Sequence, residues 1–272
     1  MLAEDILGKL DIIPVDELKI HEQTIEANTR ALRETMLNLG RIVDPIVVDR
    51  EHKVVLDGNH RRQVLEDIKC ENAICQMVDY DSPDIKVMGW YLAVPEADIA
   101  DKYSLGGEKV DMETGQRALD NLEACFMLVE KGRKEVRLFA SSERKIAAVI
   151  RDQNDLLAKI PCKWTNESNG SDDCVYYVED VRAGVFLDKG YSVLHRRPYT
   201  KGEIISEAVA GRPLPPKSTR HIIPNRIIRL NFHLGYLNEP RDTAMRMLVE
   251  SVKRRVKYGS ARYYTEPVIV MY

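Results

Sequence analysis

The sequence has no long hydrophobic run and no apolar leader. None of its apolar stretches approaches the ~18 residues that a membrane-spanning helix needs. Residues 1–9 carry charges where a signal peptide would be apolar. With 44% hydrophobic residues, the 272-residue chain is too apolar for a disordered protein. We therefore expect a folded cytoplasmic protein that does not enter a membrane.

Cysteine is scarce and scattered. The five cysteines form no Cys-x-x-Cys pair, and their odd number does not fit a complete disulfide framework. The pattern therefore favours neither a zinc site nor disulfide bonds and predicts reduced thiols in a cytosol. These residues are Cys70, Cys75, Cys125, Cys162 and Cys174.

The chain also lacks internal repeats, and its patterning alternates between helical and strand-like segments. Its length suits one large domain or two modest ones. A charged, glycine-interrupted segment predicts a boundary between domains at 1–95 and 96–272, and apolar spacing predicts a mixed α/β fold. The predicted helices are 24–39, 59–68, 119–131, 143–160, 199–210 and 242–258. The predicted strands are 17–20, 45–48, 53–56, 73–80, 135–140, 174–179 and 184–187.

The net charge of −3 hides an asymmetry. From Lys217 to Arg262 there are eleven Lys and Arg against three Asp and Glu, a local excess of +8, so the remainder carries −11. Such a basic stretch could meet a nucleic acid, an anionic ligand or the acidic body of the same chain.

The sharpest local signal is a junction between a strand and a helix. Asp57-Gly58 breaks the strand, and a glycine at this place allows a tight turn. The free amides and the dipole at the start of the helix attract anions, and His60, Arg61 and Arg62 add side-chain donors. Asp57 would repel a phosphate unless a divalent cation lies between them. The junction therefore predicts a phosphate site that includes a metal ion.

The residue types alone leave simpler readings open. Asp57 could merely cap the helix, and His60 could be a satisfied core histidine. Glu22 is also placed for an interaction with a helix dipole. Trp90 is of a type that commonly packs in a core, and residues 217–221 could form a solvated basic turn.

The layout around the junction resembles the ParB/sulfiredoxin-type fold. The resemblance rests on a helix, the strand Pro45-Ile-Val-Val48, the segment Val54-Val-Leu-Asp-Gly-Asn-His-Arg61 and a second helix. Members of that superfamily hold a nucleotide or a phosphate at this turn. They include ParB partition proteins, which bind CTP and DNA, sulfiredoxins, which use a cysteine before the His-Arg pair, and free serine kinases.

Further blocks separate these three functions and are similar to those of the free serine kinases. They occur in the same order as in that family, and the resemblance covers about residues 15–230. The blocks are Lys19-Ile-His21-Glu22-Gln23, Ile85-Lys-Val-Met-Gly-Trp90-Tyr91, and Pro216-Lys217-Ser218-Thr219-Arg220-His221-Ile-Ile-Pro224.

The other two functions fit the sequence less well. Asn59 stands where a sulfiredoxin needs its cysteine, and an amide cannot attack sulfur. A ParB partition protein would continue with a helix-turn-helix, whereas strands and loops are predicted after residue 95. The basic C-terminal stretch keeps a nucleotide (CTP)-dependent, ParB-like DNA-binding protein as the alternative. For the kinase we do not expect DNA as a partner.

The kinase resemblance implies roles for individual residues. Glu22 would be the general base that accepts the proton of a serine hydroxyl. Asp57 would hold Mg²⁺, directly or through water, and would act with His60 at the phosphoryl group. Arg62 is expected to face solvent or the second domain. Implied nucleotide or phosphate ligands are Gly58, Asn59, His60, Arg61, Lys217, Ser218, Thr219 and Arg220, and implied substrate ligands are His21, Trp90, Arg220 and His221.

The implied activity is a phosphotransfer to an alcohol. Free L-serine would receive a phosphoryl group from ADP or ATP, giving O-phospho-L-serine for the synthesis of cysteine or other amino-acid-derived compounds. The second α/β domain would form a cleft with the first. The phosphate junction does not distinguish ADP from ATP, and one extra methyl or methylene group on the acceptor changes affinity by only ~1–3 kcal/mol, which leaves threonine and homoserine open.

Overall fold

The computed structural model describes residues 2–132, 134–161, 163–164 and 174–264. The helices are α1 Leu2–Leu7, α2 Glu26–Leu39, α3 Asn59–Asp67, α4 Ile99–Lys102, α5 Met112–Asp120, α6 Ile146–Leu157, α7 Ala183–Asp188, α8 Lys201–Val209 and α9 Arg241–Lys257. The strands are β1 Leu10–Pro14, β2 Lys19–Ile20, β3 Arg41–Ile42, β4 Ile46–Asp49, β5 Val54–Asp57, β6 Asn72–Val78, β7 Lys86–Met88, β8 Tyr91–Val94, β9 Glu108–Val110, β10 Ala124–Val129, β11 Val136–Ala140, β12 Lys163–Trp164, β13 Cys174–Val178, β14 Ser192–His195, β15 Arg220–Ile222 and β16 Phe232–His233. The predicted mixed α/β fold is confirmed.

The described residues form two compact units whose chain segments interleave. Unit 1 contains the described parts of Met1–Lys86, Lys201–Pro216 and Ile223–Tyr272, and unit 2 contains those of Val87–Thr200 and Lys217–Ile222. This division differs from the predicted 1–95 and 96–272, because two later segments return to unit 1. Their apolar faces supply part of its core, which no local pattern before residue 95 can reveal.

Unit 1 is built on a five-stranded mixed sheet in the order β1-β6-β4-β5-β2. The strands β2 and β5 are parallel, with Ile20 opposite Val55. The strands β4 and β6 are also parallel, whereas β4 and β5 are antiparallel. Helix α2 ends at Gly40, which adopts the left-handed conformation expected of a helix C-terminus. The predicted strands and helices that flank the junction are therefore confirmed.

The C-terminal helix α9 completes the core of unit 1. Ala244, Leu248 and Val252 are fully buried at helical spacing within the same hydrophobic cluster as the β1 and β6 side chains. The Arg241 guanidinium donates to the Ile12 carbonyl oxygen and to the Asp11 carboxylate. Part of the basic C-terminal stretch thus meets the acidic body of the chain, as one of the three interpretations of its charge supposed.

Unit 2 contains a seven-stranded sheet in the order β12-β13-β8-β14-β10-β11-β9. Apart from the parallel pair β12 and β13, its neighbouring strands are antiparallel. Strand β10 is buried along its whole length. A smaller two-stranded sheet pairs β7 with β15.

Two secondary-structure predictions in unit 2 were wrong. Residues 119–131 were predicted to be one helix, but α5 ends at Asp120 and residues 124–129 form the buried strand β10. A short continuous apolar run carries no period that separates a buried strand from a buried helix. Residues 184–187 were predicted to be a strand but lie in helix α7, which ends before Gly190 at a φ of 84°.

The described cysteines are reduced and enclosed. Cys70, Cys75 and Cys125 are buried free thiols. Burial raises the pKa of the Cys125 thiol to about 12, so it stays protonated at neutral pH. Cys162 and the side chain of Cys174 lie outside the described residues. Within those residues, none of the helices combines the length and apolar character required to cross a membrane.

Candidate active site

The segment His21-Glu22-Gln23 continues from strand β2 and is held in place by its backbone. Glu22 forms an isolated parallel bridge with Leu214, and the backbone N–H of Gln23 donates to the Leu214 carbonyl oxygen at 2.8 Å. Because β2 runs parallel to β5, both strands reach the same edge of the sheet at their carboxyl ends. Glu22 and Asp57 therefore leave the sheet of unit 1 at that shared edge.

His21 is a buried neighbour of Glu22. Its side chain lies against the Val55 carbonyl oxygen through Nδ1, and the Asn59 amide nitrogen is 3.1 Å from the same Nδ1. Burial lowers the pKa of His21, outweighing the opposing effects of Glu22, the Val55 carbonyl and Asp57. The ring is therefore neutral at pH 7, with Nε2 at 4.0 Å from the Glu22 carboxylate. The predicted contact of His21 with substrate stays a prediction.

The strand-to-helix junction depends on Gly58. This residue precedes helix α3 with a φ of 103°. Because glycine has no side chain, it cannot cap the backbone amides of the first helical turn. A Cβ atom at this position would lie 2.8 Å from Nε of Arg61. The left-handed backbone conformation therefore favours glycine, and a Cβ atom would also displace the end of the Arg61 side chain.

Asp57 is paired with two arginines rather than capping the helix. Arg61 donates to Asp57 Oδ2 at 2.6 Å, and Arg226 donates to the same oxygen. Asp44 lies 3.7 Å from the other terminal nitrogen of Arg61. Burial opposes ionisation of Asp57, but the two guanidinium groups outweigh it and hold the pKa of this carboxyl below its usual range. Asp57 is therefore ionised at neutral pH.

His60 is oriented by a residue that the sequence analysis missed. Its Nδ1 lies 2.8 Å from the hydroxyl of the buried Thr29 in helix α2, and that hydroxyl also bonds to the Ile25 carbonyl oxygen. This contact fixes the imidazole beside the junction. Arg62 pairs with Glu66 at 2.6 Å and its side chain is 12% exposed, so it does not face solvent as one of the two expectations had it, and the other expectation, that it faces the second domain, stays a prediction.

The remaining predicted site residues lie in unit 2 and centre on Trp90. The indole nitrogen donates to the Thr219 carbonyl oxygen at 3.1 Å. The ammonium group of Lys217 and the guanidinium group of Arg220 lie 5.7 Å and 5.9 Å from the ring. These are cation–π distances, so the indole and the two cations form one cluster.

The block that follows Pro216 is an ordered part of unit 2 and not a solvated turn. Ser218 and Thr219 are buried, Arg220 begins strand β15, and His221 follows it. The Arg220 guanidinium is 3.1 Å from the Glu179 carboxylate, so in this state it already has an acidic partner. Glu179 gave no signal in the sequence, because it lies far from Arg220 along the chain.

The buried Arg196 ties this block to Trp90. It donates to the Trp90 carbonyl oxygen at 2.9 Å and to the Lys217 carbonyl oxygen. A single guanidinium thus fixes the backbone at both members of a cation–π pair. Its position after the short run Ser192–His195 gave no signal in the sequence, because the partners are distant along the chain.

His195 is a buried histidine from which we expect acid sensitivity in unit 2. Its ring stacks on Tyr91 with centroids 4.0 Å apart, and burial lowers the pKa of His195 to about 4. Between pH 6.5 and 4, His195 binds a proton in the unfolded chain but not in the folded chain. We therefore expect the free energy of unfolding to fall by up to about 3 kcal/mol as the pH drops from 6.5 towards 4, in urea titrations at each pH.

A matched pair of substitutions checks this pH dependence. His195→Phe keeps an aromatic ring on Tyr91 but removes the titrating group, and Nε2 of His195 has no hydrogen-bond partner among the described residues. This variant should lose less stability between pH 6.5 and 4, whereas His233→Gln at an exposed position should behave like the original chain. Identical slopes for His195→Phe and the original chain would exclude His195 as the cause.

Asp57 fits Mg²⁺ of the kind that arrives with a nucleotide. Among the described residues, no three His, Cys, Asp or Glu side chains cluster closely enough to form a metal cage of protein ligands. Magnesium at nucleotide sites is commonly held by one or two carboxylates together with phosphate oxygens and water. Asp57 is ionised and its side chain is 37% exposed, which suits that manner of binding.

The predicted site residues fall into two sets, each assembled by its own unit. Residues 57–61 of unit 1 gather with His21 and Glu22 at the edge of the five-stranded sheet. Trp90 and residues 217–221 gather in unit 2.

Comparison with known proteins gives relatives that share most of the chain. No family model matches. The chain is 25% identical over 222 residues to the ADP-dependent L-serine kinase SerK of Thermococcus kodakarensis, covering 78% of this chain and 86% of the relative. It is 26% identical over 227 residues to an ATP-dependent L-serine kinase of Staphylothermus marinus, covering 78% and 85%. The resemblance predicted from the sequence motifs is therefore confirmed.

Solved structures share the fold. A free serine kinase in complex with AMP superimposes with a TM-score of 0.63 at 22% identity, covering 84% of this chain and 93% of the other. SbnI from Staphylococcus aureus, with a C-terminal truncation, superimposes with a TM-score of 0.70 at 17% identity, covering 93% and 99%. The similarity extends to parts of both units, since each coverage exceeds the length of either unit.

Proposed function

We propose that this chain is a small-molecule kinase that transfers the terminal phosphoryl group of ADP or ATP to the hydroxyl of L-serine. The product is O-phospho-L-serine. The observation that carries the proposal is the emergence of Glu22 and Asp57 from neighbouring parallel strands at one sheet edge, beside the start of helix α3. The similarity to L-serine kinases over 78% of the chain supports the same reaction.

Glu22 is the proposed general base. A serine hydroxyl is a weak nucleophile at neutral pH. A carboxylate within hydrogen-bond reach accepts its proton as the phosphoryl group is transferred. Burial lowers the pKa of His21, so the imidazole beside Glu22 is neutral at pH 7 and 4.0 Å from its carboxylate. The paired backbone around Leu214 holds the backbone of Glu22 in a fixed position.

The junction at Gly58 is the proposed phosphate site. The first amides of helix α3, those of Asn59, His60 and Arg61, belong to a helix N-terminus whose dipole attracts anions. His60, oriented by Thr29, and Arg61 add side-chain donors to phosphate oxygens.

Asp57 is the proposed magnesium ligand, directly or through a water molecule. When bound, the ion neutralises charge on the phosphate oxygens during phosphoryl transfer. Asp57 also acts at the phosphoryl end of the site because its carboxylate lies immediately before the phosphate-binding turn.

The unit 2 cluster is the proposed source of further ligands. Lys217, Ser218, Thr219 and Arg220 supply donors to the nucleotide phosphates. Trp90, Arg220 and His221 are proposed serine ligands in unit 2. His21 is a proposed serine ligand in unit 1. The support is the ordered packing of residues 217–221 against Trp90, since a pre-organised set of donors loses little freedom on binding an anion.

The fold and cellular setting form part of the proposal. The helix α2, the strands β4 and β5, the glycine turn and helix α3 support a ParB/sulfiredoxin-like assignment for the N-terminal region up to about residue 95. The buried free thiols Cys70, Cys75 and Cys125 support a reducing, cytoplasmic setting.

Product analysis by mass spectrometry tests the function. Purified protein is incubated with L-serine, Mg²⁺ and either ADP or ATP, and with threonine or homoserine in parallel. We expect phosphoserine together with AMP from ADP or with ADP from ATP, and the preferred donor follows from the faster reaction. Release of inorganic phosphate without phosphoserine from either donor would reject the kinase. Strong nucleotide-gated binding to DNA without phosphoserine would favour the ParB-like alternative.

A further inference from the structure

Arg226 reaches the phosphate turn from a distant part of the chain. It follows the 217–221 block in sequence but belongs to unit 1, where its guanidinium bonds to Oδ2 of Asp57. Arg61 shares that oxygen and also has Asp44 at 3.7 Å. Among the described residues, Asp57 is the acidic group that pairs with Arg226. If a cation or another charge engages Asp57, Arg61 therefore keeps an acidic neighbour and Arg226 does not.

The backbone on both sides of Arg226 is fixed by one buried side chain. Gln76 in strand β6 is 1% exposed, and its amide nitrogen donates to the Asn225 carbonyl oxygen at 3.0 Å. The oxygen of the same amide accepts a hydrogen bond from the Ile227 backbone at 2.8 Å. The arginine between them thus has an anchored backbone, while its side chain is 38% exposed. A fixed backbone combined with a long, exposed side chain suits a guanidinium group that changes its partner.

We propose that Arg226 is a phosphate-binding residue. Before nucleotide binds, it is paired with Asp57, and it then exchanges the Asp57 carboxylate for the terminal phosphate of the bound nucleotide. This inference rests on the proposed kinase function. It assigns a binding role to the C-terminal segment of unit 1, beyond the residues of the sequence motifs.

The chemistry of the groups favours this exchange. A guanidinium group can bond bidentately to a phosphate through two parallel N–H donors, and it remains charged at every physiological pH. Arginines that contact the transferred phosphoryl group also stabilise the charge that it carries in the transition state. Pairing with Asp57 keeps Arg226 beside the turn before nucleotide arrives.

Nucleotide affinities measured by isothermal titration calorimetry test the proposal. Arg226→Gln should weaken ADP binding by about tenfold to a hundredfold, whereas AMP, which lacks the terminal phosphate, should lose less than about threefold. Arg226→Lys keeps the charge without the bidentate geometry and should lie between Arg226→Gln and the original chain. Arg246→Gln, an exposed arginine on α9 that contacts Thr243, is the matched control and should bind both nucleotides normally.

A double-mutant cycle separates exchange from a purely structural role. Without Mg²⁺, Asp57→Asn should tighten ADP binding because it releases Arg226 and removes a negative charge. The gain should be at least about threefold smaller when Arg226 is also changed to Gln, because only the charge effect then remains. Equal gains in the two backgrounds, or unchanged ADP affinity in Arg226→Gln, would overturn the proposal. If Arg226→Gln melts below the assay temperature, Arg226→Lys carries the same comparison.

The outcomes distinguish this inference from the proposed function. A chain that makes no phosphoserine but loses ADP affinity selectively in Arg226→Gln would keep the Arg226 assignment and reject the serine reaction. A chain that makes phosphoserine while Arg226→Gln binds ADP normally would keep the kinase and reject the exchange.

Discussion

Glu22→Gln is expected to lower kcat for phosphoserine formation by about a hundredfold to ten-thousandfold. The amide keeps the shape of the side chain but cannot accept the hydroxyl proton. ADP or ATP affinity should change by less than about threefold, because the loss concerns proton transfer and not phosphate binding. Initial rates of phosphoserine formation at saturating serine, with nucleotide titrations on the same samples, measure both quantities.

Glu26→Gln provides the matched control. Glu26 begins helix α2, its side chain is 87% exposed, and it pairs with Arg30 on the surface. Exposed pairs of this kind contribute about 0–1 kcal/mol to stability, so the control should retain its rate. If Glu22→Gln were as active as Glu26→Gln, Glu22 would have no part in proton transfer.

Gly58→Ala is expected to weaken nucleotide binding by about tenfold or more and to reduce turnover at fixed nucleotide concentration. At a φ of 103°, a side chain strains the backbone, and the new Cβ would meet the Arg61 guanidinium at 2.8 Å. The backbone strain should shift the first turn of helix α3, and the contact should displace the Arg61 guanidinium. ADP titration calorimetry and thermal denaturation would measure the loss of affinity and of stability.

Gly211→Ala separates the backbone strain from the loss of the site. Gly211 also has a positive φ, 69°, and lies in unit 1, but a Cβ atom there would meet nothing within 4 Å. This control should lose stability, by about 1–2 kcal/mol, and retain its nucleotide affinity. Equal nucleotide affinities in Gly58→Ala and Gly211→Ala would remove the turn from phosphate binding.

The turn proposed to bind phosphate could be predicted from the sequence because its determinants are neighbours in the chain. A β-branched strand, an Asp-Gly break and a helix with apolar spacing specify the turn at Gly58 through backbone preferences alone. Strand β10 could not be predicted in the same way. A fully buried strand shows no alternation, so its run of apolar residues resembled a helix.

The partners of the site residues could not be predicted, because tertiary packing brings them together. Arg226 is 169 residues from Asp57, and Gln76 is 151 residues from the Ile227 amide that it accepts from. In the sequence, Thr29 has the spacing of an ordinary helix residue, and only the tertiary structure shows its contact with His60. A single sequence contains no signal for such pairings when each residue type is common at the protein surface.

The division of unit 1 into three stretches of chain has a consequence for biosynthesis. A ribosome releases the Asp57 turn early, but Arg226 and the apolar face of α9 follow only after unit 2 has been made. Domains tend to fold as they emerge from the ribosome, but the core of unit 1 is complete only after helix α9 has been synthesised. During most of translation, Asp57 therefore lacks one of its two cationic partners, and a prematurely terminated chain would retain the turn without the complete charge arrangement around it.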